Sequence, residues 1–179
     1  MNKLDNKLYT VVKEYLIALQ KHDLNSLADT LAQDSRMTFA SAKFHLPKKQ
    51  ILISLGWDVG TNGRFSHELI TAKNGIIVIT VIEHNDFLDL LKLPPLEAEM
   101  KFTFNDSKLI QSILYTPKGM MSEDPNLVQR ALRPAVKWAH KNAAERLNTI
   151  YSDGQIDYNE ASAREWCQLL KEWSANCTP

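Results

Sequence analysis

Cysteine is nearly missing from this sequence of 179 residues: Cys167 and Cys177 allow no disulfide framework, and they match no metal-ligand spacing. Glycine is sparse as well, and its six residues form no loop of the kind that cradles phosphates. No excess of charge exists. Lys plus Arg is 21 and Asp plus Glu is 21, so nucleic acid and anionic membrane are not expected as partners, since both select a basic surface. Long apolar runs are absent too: Ile76 to Ile82 is interrupted by Thr80 and is far too short to span a bilayer. The opening residues Met1 to Lys7 are charged and lead into an amphipathic segment rather than an apolar signal core, which makes the cytoplasm the expected location. The histidines (His22, His45, His67, His84 and His140) are scattered, with no HExxH and no pair at i, i+4. There is no G-x-S-x-G elbow either. Neither a metal, a cofactor nor serine hydrolysis has local support.

What is present is an ordinary globular composition, 44% hydrophobic and 23% charged. Leu8, Val11, Val12, Tyr15, Leu16 and Leu19 form one stripe of an amphipathic helix. Asp23 can cap a short second helix bearing Leu24, Leu27, Ala28 and Leu31. Met37 and Phe39 suggest a strand, and Pro47 suits the first turn of a third helix ending near Gly56 and Trp57, before a loop from Asp58 to Gly63. Lys43, Lys48 and Lys49 make a small basic patch at that helix start. Four strand-like runs follow, over 65–72, 76–83, 96–104 and 109–116. Asn74-Gly75 is a hairpin signal between the first two, because both residues tolerate positive φ. Short connections make these strands antiparallel neighbours. After Pro117 the pattern turns helical, with Pro134 expected to kink or divide one helix and Trp166, Leu169, Leu170 and Trp173 on the face of the last.

The segments Val11-Val12-Lys13-Glu14-Tyr15-Leu16, Asp23-Leu24-Asn25-Ser26-Leu27, Met37-Thr38-Phe39 and Glu99-Met100-Lys101-Phe102-Thr103-Phe104, in this order of elements, resemble the nuclear transport factor 2-like superfamily of ketosteroid isomerases and polyketide cyclases. The resemblance implies an α+β cone over residues 1–119, with N-terminal helices packed on a curved antiparallel sheet. It does not extend to 120–179, read as a C-terminal helical hairpin that docks on the cone or on a dimer partner. It implies a pocket inside the cone for a mostly apolar small molecule, and a homodimer. The Arg-x-Asp strand motif of the epoxide hydrolases of this fold is absent, and no catalytic residue transfers position by position.

Candidate chemistry gathers at the exit of the central strand, Glu83-His84-Asn85-Asp86. Alternation puts Glu83 and Asn85 on the face of Ile77, Ile79 and Val81, and His84 and Asp86 on the other. An acid desolvated there would have a pKa suited to general acid–base work; alternatively, Asn85 or Asp86 simply caps the following turn. His67 and Tyr115 are the remaining catalytic candidates, as a base and a hydrogen-bond donor, although structural packing accounts for either. Trp57, Asp58 and Asn85 are expected to line the pocket. Asp153 to Glu160 resembles half of a calcium loop, but Thr149 and Tyr151 stand where carboxylates are needed, so an Asp-Gly turn is expected. The readings in order are a binding protein, an isomerase, dehydratase or cyclase working in the same pocket, and a protein-interaction module.

Overall fold

The computed structural model describes residues 3–40 and 45–177; Lys43 of the basic patch lies outside them. Helix α1 (Lys3–Gln20) buries Leu8, Val12, Tyr15, Leu16 and Leu19 along one stripe. Asp23 caps α2 (Leu24–Thr30) by accepting the Ser26 amide at 3.0 Å. Leu31, expected in that helix, instead opens strand β1 (Leu31–Phe39). The Lys48 ammonium donates to the carbonyls of Ala28 and Leu31 at 2.7 and 2.8 Å, so the helix end is satisfied without another turn. Strand β2 (His45–Pro47) leads into α3 (Lys48–Gly60). This helix runs past Gly56, and Asp58 therefore sits in its last turn rather than in a loop. Strands β3 (Arg64–Lys73) and β4 (Ile76–His84) form a hairpin whose turn residues Asn74 and Gly75 have φ of 55° and 75°. Short α4 (Asp86–Leu90) precedes β5 (Leu96–Phe104) and β6 (Ile110–Lys118).

The sheet order is β2-β1-β6-β5-β4-β3. Every pair is antiparallel except β1 with β6, which run parallel, so the sheet is mixed. The parallel pair closes a long loop in sequence, through α3, α4 and four strands, which local turn signals cannot announce. Helix α1 covers one face, and the cone core gathers Leu8, Val12, Tyr15, Ile51, Ile77, Ile79, Phe102 and Ile113.

The remaining chain comprises α5 (Gly119–Glu123), α6 (Leu127–Asn142), α7 (Ala144–Asn148), a small hairpin of β7 (Tyr151–Ser152) and β8 (Gln155–Ile156), and α8 (Glu160–Cys177). Helix α6 passes through Pro134 undivided, its face of Leu132, Ala135 and Ala139 fixed in a second core. Asp153 and Gly154, with φ of 50° and 77°, form the hairpin turn. That second core joins Leu147, Ile150, Trp166 and Leu170 to Trp57 of α3 and Phe87 of α4. The seam is tight. A Cβ added at Gly60 would lie 2.5 Å from both the Ala163 Cβ and the Glu160 carbonyl oxygen, so glycine is what allows α8 to lie against α3. Among the described residues, no helix is long and apolar enough to cross a membrane.

Candidate functional site

Strand alternation decides which groups enter the cone. Ile77 and Ile79 are fully buried under the helices, and Val81 and Glu83 share their side. In register, Glu83 stands between Phe65 on β3 and Leu96 on β5. On β6, Tyr115 lies on the same helix-facing side as Ile113, between Met100 and Phe39, and its ring sits 5.3 Å from that of Phe39.

Helix α3 brings the second carboxyl to this end of the sheet. Its last turn carries Trp57 and Asp58, exposed by only 6% and 9%. Thr61 closes the helix by donating its hydroxyl to the Trp57 carbonyl at 2.9 Å, and the Gly63 amide donates to the Asp58 carbonyl at 2.7 Å. The next link ties α3 to α4: the Asp86 amide donates to the Thr61 carbonyl at 2.8 Å. Asn85 then does two jobs. Its side-chain oxygen accepts the Leu88 amide at 2.8 Å and caps α4, while its amide nitrogen donates to Glu83 Oε1 at 2.5 Å.

Burial pushes the Asp58 carboxyl well above the usual carboxylate range, and the charge of Glu83 pushes it further. Burial likewise raises Glu83, with the Asn85 hydrogen bond pulling the other way. Neither carboxyl belongs to an ion pair among the described residues. Both shifts favour the protonated form, which is the direction that suits a carboxyl to general acid–base work. Two phenols feel the same pair. Tyr115 is raised by burial and then by Glu83 and Asp58, and Tyr15 by burial and then by Asp58. Both therefore stay protonated and able to donate. The Tyr15 hydroxyl is fully buried with no hydrogen-bond partner among the described residues.

Of the residues singled out in the sequence, Glu83 is hydrogen-bonded to Asn85 and its charge reaches Asp58 and Tyr115, while Trp57, next to Asp58 in the chain, packs in the second core. The others lie elsewhere. His84 is exposed on the opposite side of β4. Asp86 faces outward and pairs with Arg64 at 3.1 Å. His67 faces the helices opposite Val81, but on the edge strand β3, where it is exposed. Sequence reasoning missed Tyr15 as a site residue because it sits inside the apolar stripe of α1 and reads as packing. Its position in the middle of that stripe, with a hydroxyl needing a partner, was the available signal.

Beside Leu88 and Leu96 a cleft of about 210 Å³ opens, lined also by Leu93, Pro94, Met120 and Val128, with Glu97 and Lys118 as its charged residues. Its walls come from the cone and from the added helices together. No group of three or more potential metal ligands occurs among the described residues.

No family model and no curated protein matches the sequence. Solved structures do match. A proposed ketosteroid isomerase from Kribbella flavida superposes with a TM-score of 0.53 at 13% identity, covering 64% of this chain and 79% of its own. A protein of unknown function with a cystatin-like fold from Methylobium petroleophilum gives 0.53 at 13% identity, covering 65% and 79%. A proposed polyketide cyclase from Xanthomonas campestris gives 0.51 at 12% identity, covering 68% and 96%. At such identities the likeness is one of fold, and the chain has the cystatin-like α+β cone fold, extended by C-terminal helices.

Proposed function

We propose that the protein binds a small, mostly apolar molecule at the Asp58–Glu83 end of the cone and moves a proton on it, as an isomerase, dehydratase or cyclase does. The observation that carries this reading is the pair of carboxyls desolvated together without a cation. The ionised member would take a proton next to a carbonyl or hydroxyl group, and the protonated member would return one. The Tyr15 and Tyr115 hydroxyls are the donors for the oxygen on which negative charge develops. Asn85 orients Glu83. The apolar cleft at Leu88 and Leu96 is reached from this site only through Leu96, the strand partner of Glu83; neither carboxyl and neither phenol lines it.

The test is proton exchange. A panel of apolar ketones and hydroxyketones is incubated with the protein in D2O, and deuterium uptake next to the carbonyl is followed by NMR. Uptake that falls by about 10²–10⁴-fold in Glu83→Gln supports the reading. Ketones that bind without exchanging would instead leave a binding protein, the first reading of the sequence. A homodimer is part of the proposal. The open face of the sheet exposes Ile82 and Leu114, and a monomer by light scattering at micromolar concentration would remove that part.

A further inference from the structure

Tyr158 lies in the turn that leads from the small hairpin into α8, outside the cone altogether. Its ring nevertheless packs on Trp57, with centroids 4.9 Å apart and planes inclined by 56°. Trp57 in turn meets Phe87 edge-on at 5.1 Å, and Phe87 meets Trp166 of α8 at 6.4 Å. These contacts matter because of their neighbours in the chain. Trp57 precedes Asp58, and Phe87 follows the Glu83 to Asp86 strand exit. The ring of Tyr158 thus packs on the residue that precedes Asp58, and Trp57 links it to Phe87 beyond the β4 exit. Tyr158 is 55% exposed, so one side of it lies on Trp57 while much of the rest meets solvent. That is the placement of a cover. Its position is set by the seam at Gly60, where α8 approaches too closely for any side chain, and by Asn159, which caps α8 by accepting the Ser162 amide at 2.9 Å.

We propose that Tyr158 is a positioning residue that seals the Asp58–Glu83 end of the cone, so that the C-terminal extension completes the site and is not merely attached to the fold. The inference rests on the reading of the carboxyl pair given above. The aromatic ring provides the seal: it keeps water from the pair and so keeps both carboxyls raised. The titratable groups facing this region are Asp58 from α3, Glu83 from β4, Tyr15 from α1, Tyr115 from β6 and Tyr158 itself. The charge of Glu83 reaches the Tyr158 phenol, which burial raises first and Glu83 second.

The experiment reads side-chain carboxyl ¹³C shifts against pH in the ligand-free full chain, for the wild type, Tyr158→Ala and Tyr158→Phe. Circular dichroism checks that each variant is folded. A downward move of the pair's titration by about one pH unit or more in Tyr158→Ala, with Tyr158→Phe resembling the wild type, supports the seal. An unchanged titration in Tyr158→Ala would overturn it, as would an equal shift in Tyr158→Phe, which would assign the effect to the hydroxyl. Gly60→Ala, which forces α8 away from α3, supplies an independent opening and should move the pair in the same direction as Tyr158→Ala. A wild-type pair that titrates in the ordinary range would fail the reading of the site itself, whereas a raised pair indifferent to Tyr158→Ala fails only the seal.

Discussion

Two sets of carboxylates leave the same end of β4 and are treated in opposite ways. On the outside, Asp86 and Asp89 share the guanidinium of Arg64 at 3.1 and 2.9 Å, in a cluster with side chains about half exposed. On the inside, Glu83 accepts from the Asn85 amide, its charge reaches Asp58 and Tyr115, and neither carboxyl has an ion pair among the described residues. Water and a cation stabilise the first set in its charged form. The second set has no cation beside it among the described residues; burial raises both carboxyls, and the charge of Glu83 raises Asp58 further. A contrast of this kind separates a surface that keeps a protein soluble from a site able to hold and return a proton.

Removing one inner carboxyl should break the contrast most strongly. A carboxyl whose folded pKa lies above its unfolded value of about 4 binds more protons when folded, so its contribution is complete below about pH 4 and is lost as pH rises through the folded value. Wild-type melting temperature should therefore decline as pH rises above about 4 and through the raised folded values. Asp58→Asn should flatten that decline and raise the melting temperature at the alkaline end, by about 2–4 °C for each kcal/mol relieved, as read by scanning calorimetry. Asp23 and Glu172 do not blur the window. Ser26 and Arg146 hydrogen bonds hold those carboxyls below the usual range, so their effect has the opposite sign and falls at more acid pH.

Asn85→Ala comes next in size. It removes the cap of α4 and the hydrogen bond to Glu83, at a cost of about 0.5–2 kcal/mol by denaturant unfolding, and the titration of Glu83 should move further up. Tyr15→Phe should leave stability within about 1 kcal/mol of wild type, because the hydroxyl has no partner to lose, while slowing any proton exchange. A large loss of stability in that variant would mean the hydroxyl is structural. The smallest effect belongs to the outer cluster. Arg64→Gln should change stability only slightly, less still in high salt, and leave the pH dependence of the inner pair in place.

Much of this was legible in the sequence, for reasons that also mark the limit. Period-two alternation from Ile77 to Val81 was enough to put Glu83 and His84 on opposite faces, because a strand fixes side-chain direction locally, but which face turns inward depended on where α1 packs. The Asn85 cap was likewise a local signal. Asp58 was read as a pocket residue but placed in a loop, since Gly56 and Gly60 look like helix breakers until α8 lies against them. Tyr15 was hidden because a buried tyrosine has the same periodicity as a leucine. Tyr158 and the parallel β1–β6 pair escaped for one shared reason: both depend on where distant segments dock, and no local pattern encodes that.

The most direct test is the carboxyl titration of the wild-type protein, with Asp58 and Glu83 assigned through Asp58→Asn and Glu83→Gln. The account predicts that both signals titrate above the ordinary carboxylate range, Asp58 the more strongly, and that Glu83→Gln lowers the Asp58 titration. Independent titration of both groups, complete within the ordinary range near pH 4, would contradict it.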